Sequence, residues 1–187
     1  MSQSSPKIIL IHGNNSGRDP GGKAQDYWFP YAVKEFEKMD LEVIAKDFPD
    51  PKVARQDIWL PFLKNECGAD EHSILIGHSS GAIAAMRYAE KNEVLGSVLV
   101  GAYYTHLGDD NEKESGYFEK PWDWQAIREN QQWIIQFASI DDPFFPIEEP
   151  RFVSEKLDSE YHEFSDRGHF FDTEFTKLIE TVKQKLL

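Results

Sequence analysis

The sequence predicts an α/β fold, a parallel sheet with helices on both faces in three layers. Two observations carry this. Apolar runs of strand length alternate along the chain with stretches of helical periodicity, the pattern of repeated strand–helix units joined by right-handed crossovers. In the middle, Ser73-Ile74-Leu75-Ile76 runs into Gly77-His78-Ser79-Ser80-Gly81 and then into Ala82-Ile83-Ala84-Ala85, which reads as a strand, a sharp turn and a helix. At 187 residues and 40% apolar, the chain is long enough for one well-buried core and too short for two ordinary domains, so a single domain over 1–187 is expected.

Taken in order, Lys7-Ile8-Ile9-Leu10-Ile11-His12, closed by Gly13, has the unbroken apolar character of a strand covered on both faces. In the loop that follows, Gly17-Arg18-Asp19-Pro20-Gly21-Gly22-Lys23-Ala24 imitates the phosphate-cradling pattern G-x-x-x-x-G-K-[ST]. Pro20 lacks an amide donor and Ala24 a hydroxyl for magnesium, so nucleotide binding is not expected. A helix begins at Pro30 with Val33, Phe36 and Met39 facing inward, and residues 41–46 form a strand ended by Phe48-Pro49-Asp50-Pro51. A helical stretch over 53–67 keeps Ala54, Ile58, Phe62 and Leu63 on one face; Pro61 is expected to kink or split it, and Gly68 to cap it.

After the helix that follows the sharp turn, which runs to about Lys91, residues 96–101 give a fourth strand and 133–138 a fifth. Between them lies an irregular section, too short for a cap domain but long enough for a small lid. Its Tyr103, Tyr117, Phe118 and Trp122 are candidates for the wall of a substrate pocket, with packing for the loop itself as the alternative. A helix over 147–157, a short strand over 161–164 and a final helix marked by Phe175, Leu178, Ile179, Val182 and Leu186 complete the chain.

The turn at Ser79 carries the chemistry. G-x-S-x-G between strand and helix is a nucleophile elbow: a strained backbone lifts the serine hydroxyl above the sheet, and its neighbours two positions away must be small. Ser79 is the candidate nucleophile. The amide of Ser80, first in the helix, is a candidate oxyanion donor, and the second comes from the loop after the first strand, with Asn14 first and Asn15 second by position. A serine hydroxyl needs a base, and the base needs a carboxylate, in the order Ser, acid, His at the ends of late strands. Asp142 in Ser139-Ile140-Asp141-Asp142-Pro143-Phe144 is the chosen acid, with Asp141 second. His169 in Arg167-Gly168-His169-Phe170 is the base, the preceding glycine letting the loop approach closely. Of the other histidines, His78 is adjacent to the nucleophile and is expected to point elsewhere, His12 precedes the oxyanion loop, and His72, His106 and His162 lie off the expected crevice.

A formal charge of −13 argues against nucleic acid and anionic membranes as partners, since such surfaces need clustered Lys and Arg. The one cysteine, Cys67, allows no internal disulfide and reads as a small helix-end residue. Without a signal-like apolar stretch near Met1 or any run of membrane-spanning length, a cytoplasmic protein is expected.

With these residues in place, the chain resembles the retinoblastoma-binding protein 9 family of small α/β-hydrolases over almost its whole length. The likeness is carried by Ile58-Trp59-Leu60-Pro61-Phe62, by the stretch from Ile76 to Glu90 around the serine, by Ser115-Gly116-Tyr117-Phe118, by Asp141-Asp142-Pro143-Phe144 and by Gly168-His169-Phe170. It implies strand order 2-1-3-4-5-6, no large cap, and Ser79, Asp142 and His169 as nucleophile, acid and base acting on small ester or amide substrates. The family's name-giving partner motif, L-x-C-x-E, falls on Cys67-Gly68-Ala69-Asp70-Glu71, where leucine and cysteine are both missing, which leaves binding to a retinoblastoma-type pocket protein without its motif. The chemistry expected is acyl transfer to water, aminoacyl substrates included, with no metal or organic cofactor. The rival class is an interaction protein with a vestigial site.

Overall fold

The computed structural model describes residues 5–15 and 22–187. Residues 17–21 of the phosphate-loop imitation lie outside them. The chain runs β1 (Lys7–Ile11), α1 (Phe29–Glu37), β2 (Glu42–Ala45), α2 (Gln56–Asn65), β3 (Ser73–His78), α3 (Ser80–Ala89) and β4 (Gly96–Val100). There follow α4 (Asp110–Glu114), α5 (Trp124–Glu129), β5 (Trp133–Ser139), α6 (Glu148–Leu157), β6 (Glu160–Phe164) and α7 (Thr176–Lys185). All six strands are parallel, in the order β2-β1-β3-β4-β5-β6.

Alternation along each strand divides the core in two, because successive side chains point to opposite faces. Ile8, Leu10, Ile74, Ile76, Val98, Val100, Ile135 and Phe137 meet α1 and α7 on one face. Ile9, Ile11, Leu75, Leu99 and Ile134 meet α2, α3 and α6 on the other. Central β3 and β4 are buried at every position, whereas the edge strands β2 and β6 are largely half-exposed. Helix α3 is buried on all sides, which its Ala-rich sequence makes possible: the sheet lies beneath it and the segment leading to α5 above. No helix among the described residues is long and apolar enough to cross a membrane.

The structure refines three expectations. The inward face of α2 is led by Trp59 and Leu63, with Ile58 and Phe62 only half-buried. Trp59 wins the inner position because its indole covers more apolar area, packs against Phe48 and donates from Nε1 to Pro49 O at 2.7 Å. Pro61 does not split the helix. It lies on the exposed face, and the residue whose carbonyl it leaves unpaired, Asp57, is itself exposed, so water can take up that carbonyl. In α1 the fully buried residues are Phe29, Ala32 and Phe36, while Val33 and Met39 lie half-exposed at the margin of the core. Gly68 does close α2, with φ +64 and Ala69 N–H returning to Leu63 O at 3.0 Å.

The start of α3 sits so close to the sheet that side chains are excluded at two points. A Cβ at Gly77 would lie under 3.0 Å from the Gly81 carbonyl, and one at Gly81 under 3.0 Å from the carbonyls of Ile11 and His12. These are backbone atoms and cannot swing aside. Gly81→Ala is therefore expected to lower the free energy of unfolding in urea by about 1–3 kcal/mol or more. A loss under about 0.5 kcal/mol would contradict this reading of the contact.

Candidate active site

Strand β3 ends at His78, and Ser79 turns the chain into α3 with φ 55° and ψ −122°, a region that a residue with a side chain enters only under constraint. The constraint is visible. Ser79 N–H donates to Val100 O at 2.8 Å, while the Ser79 carbonyl accepts the first bonds of the helix from Ala82 and Ile83. Ser80 is the first residue of α3, and among the described residues its amide has no acceptor, as expected for the first turn of a helix.

The two later residues meet. His169 Nδ1 lies 2.7 Å from Asp142 Oδ2, with both side chains almost wholly buried. The carboxylate accepts, so Nδ1 carries the hydrogen and the neutral ring keeps its lone pair at Nε2. Asp142 Oδ1 also accepts from Phe144 N–H at 2.9 Å, which fixes the carboxylate plane. Phe144, Phe145 and Phe171 enclose the imidazole at centroid distances of 4.5, 5.5 and 5.3 Å. Across from them is Gly101, at the end of β4, where an added Cβ would meet His169 Cε1 at 3.4 Å. Because Ser79 hangs from Val100, the next residue back, the ring and the serine share the same rim of the sheet. No hydrogen bond joins Ser79 Oγ to His169 among the described residues; such contacts are often long until substrate arrives.

Asp141 holds the loop that carries His169 rather than the ring. Its Oδ1 accepts from Ser139 Oγ at 2.5 Å and from Gly168 N–H at 2.9 Å, and Ser139 Oγ in turn accepts from Arg167 N–H at 3.0 Å. The Ser139 hydroxyl, followed by these backbone donors, lowers the Asp141 carboxyl below its ordinary range. Gly168 is needed for its φ of +49, not for close approach, since a Cβ there would meet nothing within 4 Å.

On the other side of the serine, His12 fixes the loop after β1. Its Nε2 accepts from Phe48 N–H at 2.8 Å, so Nδ1 is the donor to Gly13 O at 2.7 Å. A trans peptide points its N–H opposite to its carbonyl, so this bond sets the direction of the Asn14 amide. Asn15 N–H is taken by Pro51 O at 2.6 Å, which removes the second candidate.

The candidate pocket residues separate into two groups. Tyr103 touches Ser80 Oγ through its hydroxyl at 3.4 Å and packs on Phe118 and Phe145, the latter bordering His169. Glu112, from α4, accepts from Tyr103 OH and from Asn14 Nδ2, both at 2.8 Å, and so joins the aromatic segment to the β1 loop. Tyr117 and Trp122 instead belong to the packing of the segment itself: Tyr117 is 1% exposed in the core, and Trp122 covers Arg87 at 3.6 Å.

Arg87 is the residue that sequence reading overlooked. From α3 it donates to the carbonyls of Tyr117, Lys120 and Pro121 and pairs with Glu90 at 2.6 Å, while itself 5% exposed. Glu149 anchors the other end of the segment, accepting from the amides of Tyr104 and Thr105 and from the Thr105 hydroxyl. A lone arginine within an otherwise apolar buried helix was the available signal for the first of these. Bolted at both ends, the segment is a fixed wall more than a lid.

No group of three or more His, Cys, Asp or Glu placed to hold a metal ion occurs among the described residues. Burial pushes the Cys67 thiol up to about 11, which keeps it protonated and poorly nucleophilic.

Known proteins match this chain in sequence and in fold. The profile of a family described as serine hydrolase covers residues 8–184. Serine hydrolase RBBP9 of Rattus norvegicus is 48% identical over 181 residues, 96% of this chain and 95% of the relative. Among solved structures, the ydeN gene product of B. subtilis aligns with a TM-score of 0.86 at 21% identity, over 97% of this chain and 99% of the other. Est1E from Butyrivibrio proteoclasticus, with ferulic acid bound, aligns with a TM-score of 0.72 at 13% identity, over 97% and 88%. At those identities the structures speak for the fold alone, and the fold is that of the α/β-hydrolases. The chain belongs to the serine hydrolase family.

Proposed function

We propose that the protein hydrolyses small ester or amide substrates, aminoacyl ones included, through an acyl-enzyme formed on Ser79. The observation that carries this is the buried 2.7 Å contact between His169 Nδ1 and Asp142, at the same rim of the sheet as a serine held at φ 55°. His169 Nε2 takes the hydroxyl proton as Ser79 Oγ bonds to the substrate carbonyl carbon. The negative charge that develops on the carbonyl oxygen is received by the amides of Ser80 and Asn14. Collapse of this intermediate expels the alcohol or amine, which leaves with the proton from His169. Water, deprotonated by the same ring, then releases the acid and restores Ser79.

Tyr103, Phe118 and Phe145 offer an apolar wall beside the serine, suited to a compact acyl group. Glu112, joined to Tyr103 at this wall, favours substrates bearing an amine, which is the ground for including aminoacyl esters and amides.

Labelling with a fluorophosphonate, read by mass spectrometry, tests the nucleophile: one adduct on the wild type and none on Ser79→Ala is expected. Ser79→Ala and His169→Ala are each expected to lower kcat about a millionfold, and Asp142→Asn roughly a thousand- to ten-thousandfold. Asp141→Asn should cost less than Asp142→Asn, because it disturbs the loop and leaves the carboxylate on the ring. Adduct surviving Ser79→Ala, or a larger loss for Asp141→Asn, would overturn the assignment. Turnover of p-nitrophenyl esters is to be compared with that of aminoacyl esters and amides; faster turnover of the simple esters would remove the amine preference.

A further inference from the structure

We propose that His78, the residue between Gly77 and Ser79, is a positioning residue whose ring holds the main chain of His169 and thereby sets the separation of base and nucleophile. The inference rests on reading Ser79, Asp142 and His169 as the triad. His78 Nε2 lies 2.8 Å from the His169 carbonyl oxygen, in a buried setting. A carbonyl oxygen only accepts, so Nε2 carries the hydrogen and donates it. The ring has little freedom to leave: its centroid is 4.8 Å from that of His169, 6.1 Å from Phe171, 6.2 Å from Tyr27 and 6.3 Å from Trp28.

What distinguishes this bond is where it comes from. The other ties on the histidine loop, through Ser139, Asp141 and Asp142, all start from the end of β5 or the turn after it. Among the described residues, His78 supplies the hydrogen bond between that loop and β3, the strand that ends in the nucleophile. One peptide link separates the donor residue from Ser79. A shift of the loop away from the elbow must therefore break this bond or move the serine with it.

The charge of the ring suits the task. Burial, with His169 alongside, lowers His78 from 6.5 to about 3, so it stays neutral while its neighbour gains a proton. A second cation beside an imidazolium at that distance would oppose proton transfer to His169.

The test compares His78→Phe, which keeps an aromatic ring without the donor, with His78→Gln, which keeps an amide donor near the Nε2 position. Three readouts are taken: thermal unfolding, kcat and KM on one p-nitrophenyl ester, and the downfield NMR proton of His169 Nδ1–H. We expect His78→Phe to fold cooperatively, to lose about 10- to 100-fold in kcat with KM within about twofold, and to show a shifted or broadened His169 proton. His78→Gln should recover most of the kcat and a proton signal close to that of the wild type. Wild-type kcat in His78→Phe, or equal losses in both variants with the His169 proton unmoved, would reduce His78 to a space-filling residue and overturn the proposal. Should His78→Phe fail to fold, His78→Leu takes its place under the same criteria. Fluorophosphonate labelling of the wild type runs alongside. If the wild type fails to label, the triad reading falls, whereas the NMR comparison still decides whether His78 holds His169.

Discussion

The distance between the start of α3 and the sheet governs the rest of the molecule. Gly77 and Gly81 have no side chains, and at both positions a single added carbon would collide with main-chain carbonyls. Only with the helix seated this low does Ser79 adopt φ 55°, and only then does the Ser80 amide open the helix without an acceptor of its own. Strain at the serine is sustained by its surroundings: Val100 O takes the Ser79 amide, and a helix buried on every side cannot lift away. The parallel sheet supplies the remaining geometry, since loops after β3, β4, β5 and β6 all leave from the same edge.

Around that seat, polar groups position one another in pairs. Asp142 orients the His169 ring, while Asp141 and Ser139 orient the loop beneath it. His12 turns the Gly13 peptide on the far side of the serine. Arg87 and Glu149 bolt the aromatic segment, and Glu112 joins that segment to Asn14. Apart from the exposed Asp141, these side chains are buried or half-buried and hydrogen-bonded, the condition under which a polar network rigidifies a site instead of weakening it. Neutrality matters as much as charge here. Burial and the neighbouring His169 hold His78 uncharged.

The elements that were legible in the sequence share a local signature. The six strands, the elbow and the order of Ser79, Asp142 and His169 follow from short-range patterns: apolar runs, small residues at fixed offsets, and turn residues at strand ends. What escaped depends on contacts distant in sequence. Arg87 binds carbonyls 30 and 33 residues away, and no side-chain pattern marks a carbonyl acceptor. Periodicity places Ile58, Phe62 and Leu63 against the core but not Trp59 at its centre, because it cannot tell that Trp59 finds Pro49 O and Phe48. Gly168 was recognised as necessary, but for the wrong reason: its backbone angle is what the loop requires. Asp142 was preferred over Asp141 from the sequence, but the task of Asp141, holding the histidine loop through Ser139 and Gly168, needed three dimensions.

The central claim is that the amides of Ser80 and Asn14 and the ring of His169 converge on whatever is bonded to Ser79 Oγ. A crystal structure of the protein after reaction with a p-nitrophenyl phosphonate tests it most directly. The account predicts phosphorus bonded to Ser79 Oγ, with the phosphoryl oxygen about 2.7–3.1 Å from both amide nitrogens and His169 Nε2 facing the adduct. An adduct on another residue, or a phosphoryl oxygen turned away from both amides, would contradict it.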